Sequence, residues 1–133
     1  MHWLVRLTLI LAALGFLGFG GWFLLDPVDP MARIGITLSG EAAPVELRAF
    51  YGGLEIALAA WLLLAATRPH WARPALWLVL LLNLGIGISR VLGALIDQVW
   101  TGFFTGALVW EFGFVALAAT ALWMDAVRRT RDG

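Results

Sequence analysis

Apolar residues gather in four long runs, roughly residues 3 to 25, 47 to 66, 75 to 97 and 102 to 124, divided by short stretches rich in proline, glycine and charge. About 20 apolar residues in a helix span the hydrocarbon core of a bilayer, so each run predicts one transmembrane helix. The first run continues through Trp22, Phe23 and Leu25 without a small-residue cleavage site, which predicts a retained helix and not a signal peptide. The only sizeable loop, Asp26 to Glu46, is punctuated by Pro27, Pro30, Gly40 and Pro44. Its middle, Met31 to Leu38, predicts a short interfacial helix following Pro30. Thr67 to Pro74 reads as a turn, and Asp125 to Gly133 as a solvated, partly disordered end. The expected fold class is all-α: one domain over residues 1–133, an integral membrane antiparallel four-helix bundle.

Composition agrees with this solvent, because 62% of the 133 residues are hydrophobic and only 14% charged. Formal charge is zero and all nine basic residues are arginine, so there is no polybasic tract for nucleic acid and no lysine for Schiff-base chemistry. Cysteine is absent, which removes disulfides and thiolate chemistry. His2 and His70 lack a carboxylate cluster at metal-ligand spacing, and neither Ser39 nor Ser89 stands in a nucleophile-elbow pattern. No catalytic residue or metal site is therefore expected, and the residues name no cofactor. His2, Arg6, Arg68, His70, Arg73, Arg128, Arg129 and Arg131 fall on one side of the four-span frame. The other side carries Asp26, Asp29, Glu41, Glu46 and Asp97 against Arg33 alone, which predicts cytoplasmic termini. Trp3, Trp71, Trp77 and Trp123 mark the inner interface in this frame, and Trp22 and Trp100 the outer one; Trp61 and Trp110 sit mid-helix and predict packing contacts.

The candidate chemistry lies in charges inside the apolar runs: Arg48, Glu55, Arg90 and Glu111. An ionisable group at bilayer depth costs at least ~2.5 kcal/mol, so it persists where it is paired, hydrated or used. At about 1.5 Å per residue, Glu55, Arg90 and Glu111 fall at one level, some 10 to 14 Å below the outer boundary. Arg48 is two turns above Glu55, with Tyr51 and Gly52 between them, and Asn83, Gly87, Arg90, Ala94 and Asp97 follow one helical stripe that is expected to face the bundle interior. Two readings follow. The charges staple three helices through guanidinium–carboxylate forks, or Arg48, Tyr51, Glu55, Asn83, Arg90 and Glu111 form a polar site for a headgroup. Gly85, Ser89 and Gly93, with Gly102 and Gly106, predict close helix packing by small residues at spacing four.

The stretch Val45-Glu46-Leu47-Arg48-Ala49-Phe50-Tyr51-Gly52-Gly53-Leu54-Glu55, the preceding Pro30-x-x-Arg33-x-Gly35-Ile36, and Gly85-Ile86-Gly87-Ile88-Ser89-Arg90-Val91 resemble the bacterial membrane family called domain of unknown function 4345. A Gly-Gly-Leu-Glu helix followed by a short basic turn and an apolar helix is also similar, more loosely, to DoxX-like proteins. The first resemblance implies a four-helix protein of a bacterial inner membrane and carries no activity. Some proteins of the second kind serve as membrane subunits of quinone-linked oxidoreductases, although this chain lacks the cysteines and histidines that a redox centre would want. The expected function is a binding module for a lipid, quinone or other amphipathic molecule. The alternative is an accessory subunit of a larger membrane complex, or a homo-oligomer, with the charges as helix staples.

Overall fold

A computed structural model describes residues 3–132, without the side-chain surroundings of Arg129, Arg131 and Asp132; His2 lies outside the described residues. The described chain is helical, with no strand. The helices are α1 (Trp3–Leu25), the short α2 (Val28–Arg33), α3 (Ala43–Thr67), α4 (Pro69–Asp97) and α5 (Gly102–Asp132). Four stretches, Trp3–Leu25, Ala43–Thr67, Pro69–Asp97 and Gly102–Arg128, are long and apolar enough to cross a membrane.

Proline placement explains where the helix ends depart from expectation. Pro44 lies in the first turn of α3, where its missing N–H is one the helix leaves unbonded anyway, and α3 starts ahead of its apolar run. The turn expected over Thr67 to Pro74 contracts to Arg68, which is extended (φ −125°, ψ 106°) as the residue before a proline must be. Pro69 then opens α4, and Pro74, in the second turn, forfeits a single hydrogen bond. The short helix expected over Met31 to Leu38 also sits earlier, over Val28–Arg33. The Asp26 carboxylate starts it by accepting the N–H groups of Val28 (3.0 Å) and Asp29 (3.3 Å), and Gly35 at φ +80° ends it. The end expected to be solvated and partly disordered is helical over residues 125–132, because no glycine or proline interrupts them and arginine favours helix.

The chain divides into two compact units, Met1–Leu9 with Ala65–Gly133, and Ile10–Leu64. In the first unit α4 and α5 pack on each other. Gln98, left-handed at φ 52°, closes α4, and the Thr101 hydroxyl accepts the Phe104 N–H (3.3 Å) to open α5. Leu76, Val79, Ala118 and Ala121 are fully buried here. Arg6 donates through Nε to the Ala66 carbonyl (3.2 Å). In the second unit α1 meets α3 at two glycines. A Cβ on Gly20 would stand 2.9 Å from Glu55 Cβ and 3.0 Å from the Gly52 carbonyl oxygen, and one on Gly52 would stand 3.1 Å from Leu24 Cα. Only hydrogen fits at either place. Phe23 and Leu62 are buried in this unit.

Candidate functional site

The six candidate residues separate by unit. Asn83, Arg90 and Glu111 belong to the first, and Arg48, Tyr51 and Glu55 to the second.

In the first unit Arg90 of α4 meets Glu111 of α5. Arg90 Nη2 donates to Glu111 Oε1 at 2.6 Å, while Nε lies 3.1 Å from Oε1 and 3.3 Å from Oε2. Both carboxylate oxygens are therefore engaged by one guanidinium, the fork arrangement that makes arginine–carboxylate pairs strong. The Glu111 side chain is 7% exposed and that of Arg90 24%. The Phe103 ring covers the guanidinium, with Arg90 Cζ 5.6 Å from its centroid. Gly87 leaves the space: a Cβ there would press on the Phe112 ring at 3.2 Å and approach Glu111 Oε2 at 3.5 Å. Asn83 is buried but donates through Nδ2 to the Val79 carbonyl of its own helix (2.8 Å), so this amide bond ties it to α4 itself.

The second unit treats its charges differently. Residues Arg48–Gly53 of α3 form a π turn, in which each N–H reaches back five residues and one extra residue is accommodated. The straight i, i+3, i+4, i+7 column expected for Arg48, Tyr51, Gly52 and Glu55 is thereby unwound by about a residue. Arg48 Nε donates to the Leu24 carbonyl at 3.1 Å. That oxygen lies in the last turn of α1, where carbonyls lack helical partners and the helix dipole is negative, so a cation there contributes roughly 0.3–1 kcal/mol. Tyr51 stacks on Phe23, with ring centroids 5.0 Å apart and planes at 27°. Within this unit the Nη groups of Arg48, the Tyr51 hydroxyl and the half-buried Glu55 carboxylate have no hydrogen-bond partner. At the same end, Arg33 donates through Nε to Asp29 (3.0 Å) and lies over the Trp22 ring (5.5 Å).

Charge reading did not find Gly20 or Phe103, nor Arg6 as a donor to a helix end, whereas Gly52 on the Arg48–Glu55 face and Gly87 on the Asn83–Arg90 stripe were legible and are buried. The Gly52-Gly53 pair was the one visible signal of the π turn. The small residues expected at packed faces are elsewhere: Cβ atoms at Gly85, Gly93, Gly102 and Gly106 would meet nothing within 4 Å, and Ser89 is exposed. Trp110 packs on Phe114 of its own helix (centroids 4.9 Å apart) and is 55% exposed.

A family model described as Domain of unknown function (DUF4345) matches residues 4–122, which takes in all six of these positions. The chain belongs to that family. No curated protein and no solved structure matches it.

Proposed function

We propose that the protein is an integral membrane four-helix bundle with antiparallel helices and cytoplasmic termini in a bacterial inner membrane. It acts as a binding module for an amphipathic molecule, a lipid or a quinone, whose polar head lies at Arg48, Tyr51 and Glu55. The observation that carries this reading is the unspent hydrogen-bonding capacity on the π turn: a guanidinium fork, a hydroxyl and a carboxylate on one helix, beside Phe23. Polar groups in an apolar surround persist where something satisfies them. Arg90 and Glu111 satisfy each other and act as the staple between α4 and α5.

Arg48→Gln combined with Tyr51→Phe tests the site. The loss of the helix-end bond lowers stability by about 0.5–1.5 kcal/mol in detergent, while co-purification of the molecule carried by the wild type, read by native mass spectrometry, disappears. A wild type that carries nothing and gains no thermal stability from a panel of lipids and quinones would end this reading. Orientation is checked separately: a cysteine placed at Ser39 reacts with an impermeant maleimide in intact cells and one placed at Thr130 does not.

The second reading, an accessory subunit or a homo-oligomer, draws on the open faces at Gly85, Ser89 and Gly93, whose small side chains let another helix approach closely.

A further inference from the structure

The end of the first unit far from the fork gathers arginines that no carboxylate consumes. Arg6 donates through Nε to the Ala66 carbonyl, in the last turn of α3, and its Nη atoms have no hydrogen bond among the described residues. Because α3 ends at Thr67, Arg68 comes two positions after Ala66, with the two Cα atoms at most about 7.6 Å apart. The Arg68 guanidinium lies over the Trp71 ring, 5.0 Å from its centroid, and donates no hydrogen bond. Arg6 and Arg68 are thus two oriented, unspent guanidinium groups at one helix junction. Their edges match phosphate oxygens.

Two more arginines stand at this end. Arg73 precedes Arg90 by 17 residues and Arg128 follows Glu111 by 17, so in the antiparallel hairpin of α4 and α5 both lie about 25 Å of helix from the fork. Both are exposed, and neither has a hydrogen bond or ion pair among the described residues. Exposed Trp77 and Trp123 stand 13 and 12 residues from the fork, about 18 to 20 Å, a turn or so short of the arginines. With the fork some 10 to 14 Å below the outer boundary, the tryptophans fall roughly 30 Å from that boundary, which is the thickness of a hydrocarbon core. The levels are those of one leaflet: acyl chains, then tryptophan at the interface, then arginine at the phosphates. Among the side chains described at this end, Asp125 is the one carboxylate, and it is not free. An ammonium would therefore meet repulsion here and no open acid, so a zwitterionic head gains little.

From this geometry we infer that Arg6, Arg68, Arg73 and Arg128 form a surface for anionic phospholipids of the cytoplasmic leaflet, those whose phosphodiester charge no amine offsets. The inference rests on the membrane reading above but not on the occupant of the Arg48 site. The test uses the full chain in detergent micelles, titrated with phosphatidylglycerol, phosphatidylcholine or phosphatidylethanolamine of matched acyl chains, with thermal stabilisation and native mass spectrometry as readouts. Micelles have no inside, so a failure here is separate from a failure of the orientation. Phosphatidylglycerol should bind more tightly than either zwitterionic lipid. A basic side chain beside an anionic surface is worth about fivefold, so Arg73→Gln and Arg128→Gln should each weaken phosphatidylglycerol by that factor and the pair by about twenty-fivefold. Neither side chain makes a contact to lose, and the lipid-free melting temperature should not move. Arg73→Lys with Arg128→Lys, which keeps the charge, should retain most of the binding. Arg33→Gln removes the same charge from the other unit and should leave phosphatidylglycerol binding unchanged. Equal binding of the three lipids, or unchanged binding in the double glutamine variant, overturns the inference. So does a loss with Arg33→Gln as large as that with Arg73→Gln, which would mean that net charge alone sets the preference. Equal stabilisation by soluble glycerol phosphate also overturns it, since that would mark a site for a free anion.

Discussion

Both units place an arginine among apolar helices, and they spend it in opposite ways. Arg90 gives Nε and Nη2 to one carboxylate beside Gly87, and the Phe103 ring lies against its guanidinium. Arg48 gives one N–H to a main-chain carbonyl at a helix end and keeps the remainder of its fork. A closed pair fixes two helices to each other and has little left to offer a ligand. An arginine held by its Nε is oriented without being saturated, and that is the condition for binding. The lesson concerns the partner: a carboxylate consumes a guanidinium, whereas a helix end only positions it.

Arg90→Leu should break this contrast most severely. It leaves the Glu111 carboxylate buried and unpaired, at a cost of roughly 3–5 kcal/mol. Adding Glu111→Leu should restore much of the loss. Thermal melts of the two single variants and the double variant in one detergent measure the coupling, and additive losses would show that the fork is not the staple described. The next largest effect is expected at the helix crossing of the other unit. Gly52→Ala drives a methyl against the Leu24 backbone, where no flexible side-chain end can yield, and overpacking of this kind costs about 1–3 kcal/mol. Gly85→Ala serves as its counterpart. Open space surrounds that position, so the variant should melt at or slightly above wild type, by up to ~1 kcal/mol of helix propensity. A large loss at Gly85 would mean that its face is covered by another chain.

Run length made the four long helices legible, because a membrane imposes a minimum length that hydropathy alone reveals. The faces of those helices were not. Only the polar stripe of α4 marked its inner face, where Asn83, Gly87 and Ala94 are buried as expected; the spacing of Gly85, Ser89 and Gly93 did not tell an inward stripe from an outward one, and the glycines in contact are Gly20, Gly52 and Gly87. Charge order correctly suggested a partner for Arg90, since Glu111 stands at the matching place across a short connection. It gave no hint that Arg48 would take a backbone oxygen, because helix-end carbonyls carry no letter in a sequence. The π turn escaped for a similar reason: hydropathy records what a side chain prefers, not how many residues complete a turn. Asn83 and the proline-led start of α4 show local chemistry prevailing over pattern, one through a bond to its own helix and the other through N–H groups that a first turn never needed.

The two helix-end bonds also set a timetable for synthesis. Arg48 lies 24 residues after Leu24, and Ala66 lies 60 residues after Arg6. At a ribosomal rate of about 5–20 residues per second, the carbonyl end of α1 waits on the order of 1–5 s for its arginine, and Arg6 waits roughly 3–12 s for its acceptor. Both waits end before the Arg90 and Glu111 partners have been made. The nascent chain can therefore set the register of α1 against α3 while half of the protein is still unwritten, leaving α4 and α5 to lock onto each other afterwards.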